Sequence, residues 1–183
     1  MVFESERLLF RHWRVSDRDA FYELNSHPDV MRFFPSILSR EESEAYIDAI
    51  IDRLEKNGFG FWAVALKDTN EFIGFIGLNS PNIGLKIEPC IEIGWRLKKE
   101  FWGRGFATEG AKRVLRYAFD ECQFEKVYSF TTIRNRNSEN VMTKIGMKNT
   151  NKNFFHPKIP KEHPLCEHVL YVLTREDWSS YLQ

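Results

Sequence analysis

Nonpolar residues alternate with polar ones in short runs near both ends of the chain and recur at helical spacing in longer segments between them. Alternation marks a half-buried strand, and the longer period marks an amphipathic helix. The pattern predicts strands over 7–13, 61–66, 72–78, 90–97, 127–132, 149–154 and 167–173. Helices are predicted over 17–25, 40–57, 105–120 and 137–144.

Local punctuation sharpens these boundaries. Ser39-Arg-Glu-Glu42 has the spacing of a capping box, and Ala45, Ile47, Ile50, Ile51 and Leu54 give the following helix a nonpolar face. Asn57-Gly58 ends it, as Gly146 ends the helix at 137–144. Val15-Ser-Asp17 reads as a turn and cap, while Pro28 disfavours helical geometry at His27 and so interrupts the chain. Ala111, Val114, Leu115, Ala118 and Phe119 line the buried face of the helix at 105–120. Asp68-Thr-Asn70 is a hairpin turn, 80–88 is a loop, and a long loop with Pro157, Pro160 and Pro164 separates the last two strands. Thr174-Arg-Glu-Asp177-Trp178 looks like a capped final turn. Strands dominate both ends and alternate with helices only in the middle, which favours a mixed α+β sheet covered by helices over a doubly wound one.

At 183 residues the simplest organisation is one domain, 1–183, around one core. Twenty-six Lys and Arg balance twenty-six Asp and Glu, so net charge supplies no argument for nucleic acid or acidic lipid. Three widely spaced cysteines, Cys90, Cys122 and Cys166, fit free thiols in a reducing compartment. The acidic opening is unlike a secretory leader, and no nonpolar run approaches the ~20 residues that span a bilayer. A cytoplasmic location is therefore expected. The aromatic content, 15% with five tryptophans, is explained first by core packing.

The densest chemical signal is Gly103-Arg-Gly105-Phe-Ala107. It follows the alternating strand Glu92-Ile-Gly-Trp-Arg-Leu97 and opens a strong helix. Such a junction offers bare backbone N–H groups to a phosphate, although it can equally be only a tight turn. A nucleotide P-loop requires a Gly-Lys-Ser/Thr ending that is missing here. The dinucleotide pattern needs Gly-x-Gly-x-x-Gly after a first strand, and both spacing and position differ.

Residues 88–110 resemble the acetyl-CoA site of GNAT-type N-acyltransferases, especially the group of the ribosomal-protein N-terminal acetyltransferases RimJ and RimL. The resemblance extends through Ser5-Glu-Arg-Leu-x-x-Arg11, Asp29-Val-Met31, Glu92-Ile-Gly-Trp95, and Asn135-Arg-Asn-Ser138 with its continuation to Ile145-Gly146-Met147. It ends in His168-Val-Leu-Tyr171 and the turn that follows. It implies a central, largely antiparallel mixed sheet of about seven strands flanked by helices. It also implies acetyl-CoA as cofactor. Backbone groups of Trp95, Arg96 and Leu97 would meet the thioester and pantetheine, in a strand that splays from its neighbour. Gly103, Arg104, Gly105, Phe106, Ala107 and Thr108 would surround the pyrophosphate. Trp102 stands where many relatives have Gln or Arg, so a polar contact from its side chain is not carried over. Asn135 would lie near the pantetheine arm and Ser138 near the departing sulfur. Met142 stands where many such enzymes have a tyrosine acid.

Alternation places Cys90, Glu92 and Gly94 on one strand face and Ile91, Ile93 and Trp95 on the other. Glu92 is thus a candidate general base for an amine, or else a structural carboxylate. Ser138 can stabilise or relay a proton to the leaving thiolate, or serve with Asn135 as a helix cap. Arg96 and Arg104 can add positive charge or be solvated, and Glu109 favours the helix dipole. Cys90 has no evident activator, which favours an inert thiol over an acetyl-enzyme. His156, His163 and His168 lack metal-site spacing, so no metal is expected. The acceptor would be a primary amine, on a protein N-terminus or a small molecule. Its pocket would be shaped by 25–34 and the proline loop, with Phe33 and Phe34 as core plugs or substrate walls. A monomer or homodimer is expected. The alternative function is a CoA-sensing or protein-interaction module that has lost transfer.

Overall fold

The computed structural model describes residues 3–181. Its longest helix, α3 (Arg40–Asn57), begins where the capping box was expected: the Ser39 hydroxyl accepts from the Glu42 N–H at 3.2 Å, and the Glu42 carboxylate accepts from the Ser39 N–H at 2.7 Å. Gly58, in the left-handed region at φ 73°, closes it by donating to the Leu54 carbonyl.

Among the described residues nine strands form one sheet: β1 (Phe3–Glu4), β2 (Leu8–Arg11), β3 (Phe61–Leu66), β4 (Phe72–Asn79), β5 (Glu92–Leu97), β6 (Lys126–Thr132), β7 (Lys148–Asn149), β8 (Phe154–Phe155) and β9 (Glu167–Thr174). The order is β1-β2-β3-β4-β5-β6-β9-β7, with β8 also on β9. Every pairing is antiparallel except β5–β6. The expected count of seven is corrected to nine for two reasons. Phe3–Glu4 adds an edge strand. The strand expected over 149–154 divides into β7 and β8 at Asn151, whose φ of 54° breaks the extended run.

The remaining helices are α1 (Asp17–Ser26), α2 (Pro28–Met31), α4 (Phe106–Arg116), α5 (Arg136–Lys144) and α6 (Arg175–Tyr181). Pro28 does not simply interrupt the chain; it sits at the first position of α2, where its missing N–H is harmless, and His27 caps that helix through its ring. The helix expected over 105–120 ends at Arg116 and widens into a π turn over Tyr117–Glu121.

Bulge and alternation divide the side chains between two faces. Phe21, Leu24, Ile47, Ile50, Ala63, Phe72 and Phe75 pack with α1 and α3 on one face. On the other, Leu8, Phe10, Trp62, Val64, Ile76 and Ile93 pack with Val114, Leu115 and Phe119 of α4 and the turn beyond it. The β3–β4 register slips at Val64/Ala65, where β4 carries Ile73 as an extra residue beside Gly74, which pairs with Val64 and stands at φ 142°. A Cβ there would lie 2.2 Å from the Arg96 carbonyl oxygen, so only glycine lets β4 and β5 approach.

The start of α1 depends on a buried ion pair. Arg11 makes a fork to Asp17 at 2.6 and 2.8 Å, and Asp17 also accepts from the Arg14 N–H at 2.8 Å. The turn expected at Val15-Ser-Asp17 is thus tied by Asp17 to the chain before the helix, while the Ser16 side chain makes no cap bond. Removing one member leaves the other charge buried and unpaired. Asp17→Ala is therefore expected to destabilise the fold by about 3–5 kcal/mol, against about 1 kcal/mol for Ser39→Ala at an exposed cap. Equilibrium urea unfolding of the two variants measures the contrast.

Candidate active site

β5 and β6 run parallel for a single bridged position, Glu92 opposite Tyr128, anchored by the Tyr128 N–H on the Ile91 carbonyl at 2.8 Å. Beyond it the Ile93 carbonyl is met by the Ser129 hydroxyl at 3.0 Å instead of a backbone N–H, and the two strands part. The separation opens a cleft of about 930 Å³.

Which backbone groups enter the cleft follows from the other edge of β5. The Lys98 N–H donates to the Ile73 carbonyl, so alternation in the antiparallel ladder turns the even-numbered amides of β5 toward β4. The N–H groups of Trp95 and Leu97 point the opposite way, toward the space β6 has left. The Arg96 amide faces β4, so the expectation of a backbone contact from Arg96 to a thioester is corrected. Its side chain does line the cleft.

The loop after β5 is fixed by an indole. Trp102 Nε1 donates to the Leu97 carbonyl at 2.8 Å, which makes this side chain an anchor for the loop. Gly103 and Gly105 follow at φ 71° and 81°, in the left-handed region that favours glycine. Gly105 is the N-cap of α4 and offers no side-chain cap, so the first amides of that helix stay free. Gly103, Gly105, Phe106, Ala107 and Thr108 all line the cleft. Arg104 does not. Its guanidinium lies over the Phe106 and Phe101 rings at 5.1 and 5.7 Å, and its carbonyl accepts from Arg7 at 3.0 Å.

Glu109, in the first turn of α4, is more than a dipole partner. It accepts from the Ser5 hydroxyl, the Arg7 N–H and Arg7 Nε at 2.7, 2.7 and 2.6 Å. These bonds clamp the N-terminal hairpin to the helix.

Across the cleft, Asn135 caps α5. Its Oδ1 accepts from the Ser138 N–H at 3.3 Å, and its Nδ2 donates to both Thr131 Oγ1 at 3.1 Å and Ser138 Oγ at 2.9 Å. Both amide protons of Asn135 are thus engaged within the cap. Ser138 Oγ already accepts one bond, which leaves its own proton free to donate. Asn135, Ser138 and the buried Met142 line the cleft.

Glu92 stands on the cleft wall, opposite Asn79 in the β4–β5 register, and accepts from Asn79 Nδ2 at 3.1 Å. Burial pushes its carboxyl up from 4.5 to about 7, against the opposing effect of that bond. The Cys90 thiol is pushed up to about 11 by burial and by Glu92 and Glu88, away from the thiolate a nucleophile needs. The His156 and His168 rings lie 5.0 Å apart, tilted at 41°, beside Phe130 and Phe154, and burial lowers the pKa of both, His156 to about 4. Neutral rings of this kind extend the wall of the cleft. Among the described residues no group of three or more His, Cys, Asp or Glu is placed to hold a metal ion.

Sequence reasoning missed Asn79, Tyr46 and Phe61. Asn79 ends a strand of nonpolar residues, a signal in itself, yet its meeting with Glu92 needs the strand register. Tyr46 lies one step off the nonpolar face assigned to α3, and burial raises the pKa of its phenol. No helix among the described residues is long and apolar enough to cross a membrane.

A splayed strand pair beside an uncapped helix can hold a thioester cofactor, and comparison with known proteins agrees with that reading. Residues 7–148 match the acetyltransferase (GNAT) domain family. YnaD of Bacillus subtilis (strain 168), an uncharacterized N-acetyltransferase, is 30% identical over 181 residues, 98% of this chain and 100% of its own. The solved GNAT-family acetyltransferase from Bacillus anthracis is 26% identical with a TM-score of 0.78, covering 94% of this chain and 98% of that one. Spermidine N-acetyltransferase from Vibrio cholerae, solved with CoA and spermine, shares the fold at a TM-score of 0.74 and 18% identity, covering 94% and 98%. The family match over most of the chain, together with the parted strands and the glycine loop at the foot of α4, makes this protein a member of the GNAT family of acetyl-CoA-dependent N-acetyltransferases.

Proposed function

We propose that acetyl-CoA binds along the cleft between β5 and β6 and that its acetyl group passes directly to a primary amine in a ternary complex. The observation that carries this reading is the pair of amides at Trp95 and Leu97, left without strand partners beside the free amides of Phe106, Ala107 and Thr108. The helix amides would hold the pyrophosphate, and the strand amides would meet the thioester. Acetyl-CoA supplies an activated acyl group; the residues supply orientation and charge.

In this scheme the amine nitrogen attacks the thioester carbonyl, and the negative charge that develops on its oxygen falls to the strand amides. Glu92 takes the amine proton, directly or through water. A carboxyl near 7 suits that task better than an ordinary one, because general bases work best when their pKa lies near the operating pH. Collapse of the tetrahedral adduct breaks the C–S bond, and the free Ser138 proton is donated toward the departing thiolate. Serine is too weak an acid for full transfer, so hydrogen bonding or relay from water is its part. Within the family we place the chain beside the RimJ and RimL group, supported by the Ser5–Arg11 and Glu92–Trp95 motifs. A peptide N-terminus, at about 8, asks less of Glu92 than lysine at about 10.4.

Acetyl-CoA-dependent thiol release with a panel of peptides and small amines tests the reading. Glu92→Gln is expected to lower kcat by at least about a hundredfold and to remove an ascending pH limb centred near 7. Near-wild-type turnover across pH would remove Glu92 from the role. Ser138→Ala is expected to slow turnover about tenfold, with CoA affinity little changed. Unaltered turnover would count against Ser138.

Stability reports on Glu92 independently of activity. Its folded pKa lies above its unfolded one, so the folded state retains a proton that the unfolded chain has released. The Glu92 contribution therefore falls as pH rises from about 4.5 to about 7. The difference in unfolding free energy between wild type and Glu92→Gln, measured at intervals over that window, is expected to carry this slope.

A further inference from the structure

One charged group in the cleft has no task in this chemistry. The Arg96 side chain lies on the same face of β5 as Glu92 and Gly94, against α1 and α3. Its Nη1 donates to Asn25 Oδ1, and its guanidinium carbon sits 4.1 Å from the Phe34 ring centroid and 5.3 Å from that of Phe75. Nε is buried without an acceptor, and among the described residues Nη2 has none and no carboxylate pairs with the group. Aromatic faces attract a cation but cannot accept the bonds of its N–H fork. A half-buried charge with no counter-ion and an unmet Nε is costly unless a ligand compensates it.

The surrounding charge points the same way. The carboxylates lining the cleft are Asp29 and Glu92, and Asp29 is already held by Lys99 at 2.6 Å. Arg53 and Lys158 also line it, and neither has a carboxylate partner among the described residues. Arg53, Arg96 and Glu92 are all near enough to Tyr46 to act on its phenol. Glu92 accepts only from Asn79, and among the described residues no arginine pairs with it. Between Glu92 and Arg96 the sheet presents only Gly94, where a Cβ would come within 3.2 Å of the Phe61 ring. Four residues along a strand span about 13 Å between Cα atoms, which leaves room for several bonds between two ligand groups.

Resting on the acetyl-transfer reading, we propose that the acceptor is an amine that also carries an oxyanion, held by the unpaired and accessible Nη2 of Arg96 while its nitrogen faces Glu92. A carboxylate oxygen accepts a charge-assisted bond from that nitrogen, which an ammonium group cannot do. The same chemistry occurs in a small amino acid and in the acidic start of a peptide. A polyamine is the wrong ligand for it.

Matched acceptors test the proposal: 4-aminobutyrate against 4-aminobutyramide, a peptide opening Ser-Asp against one opening Ser-Asn, and spermine. In at least one pair the anionic member is expected to show about a ten- to hundredfold higher kcat/KM, mostly through KM, and that pair identifies the source. Spermine is expected to fall below both anionic members. Arg96→Gln should bring the preference close to unity, and Arg96→Lys, which keeps charge without the guanidinium Nη2, should leave an intermediate one. The lysine variant decides the matter should the glutamine variant not fold. Equal turnover within both pairs, a preference unchanged in the variants, or spermine as best acceptor would overturn the proposal while leaving acetyl transfer standing. Tight CoA binding with no amine acetylated at all would overturn the transfer reading, and this one with it.

Discussion

The site depends on backbone hydrogen bonds that the sheet does not make. Peptide N–H and C=O groups removed from water must find partners, and a regular sheet would pair those of β5 on both edges. Here the β6 edge pairs at one position and then opens. The carbonyls of Ile93 and Leu97 are met by side chains, the Ser129 hydroxyl and the Trp102 indole. Among the described residues no such substitute is provided for the amides of Trp95 and Leu97, nor for the Trp95 carbonyl. Two amides thus outnumber one carbonyl, and the local excess is of donors, the polarity that a carbonyl becoming an oxyanion requires.

That imbalance is reinforced from the next element in the chain. Two glycines in left-handed geometry turn the loop so that α4 points its uncapped end at the same opening. Its body packs through Val114 and Leu115 on the face carrying Ile93. The opposite face of β5 carries Glu92, Gly94 and Arg96 beneath α1 and α3. Strand alternation alone thus separates a cofactor side rich in backbone donors from an acceptor side rich in side-chain chemistry.

Much of this was legible in the sequence because it is local. The capping box at Ser39, the long helices, the six principal strands and the glycine junction are all set by neighbours within a few residues. Glu92 could be placed on its face by alternation. What remained hidden depends on distant pairing. Glu92 meets Asn79 only through the β4–β5 register, and Arg96 meets Asn25 from 71 residues away. The backbone of Arg96 could not be assigned to β4 without knowing which carbonyl Lys98 reaches. Trp102 looked like a departure from a polar pattern, and its indole proves to secure the loop that bears the glycines. Resemblance could supply the family but not these contacts.

The clamp on Glu109 bears on the electrical character of the opening. A free carboxylate one turn inside α4 would sit behind the amides and oppose any polyanion arriving in front of them. Three donors from Ser5 and Arg7 absorb that charge, and they hold the carboxyl below its ordinary range despite its partial burial. The outermost hairpin of the sheet therefore acts as a shield, cancelling an acid so that the helix end can present an undiminished positive field.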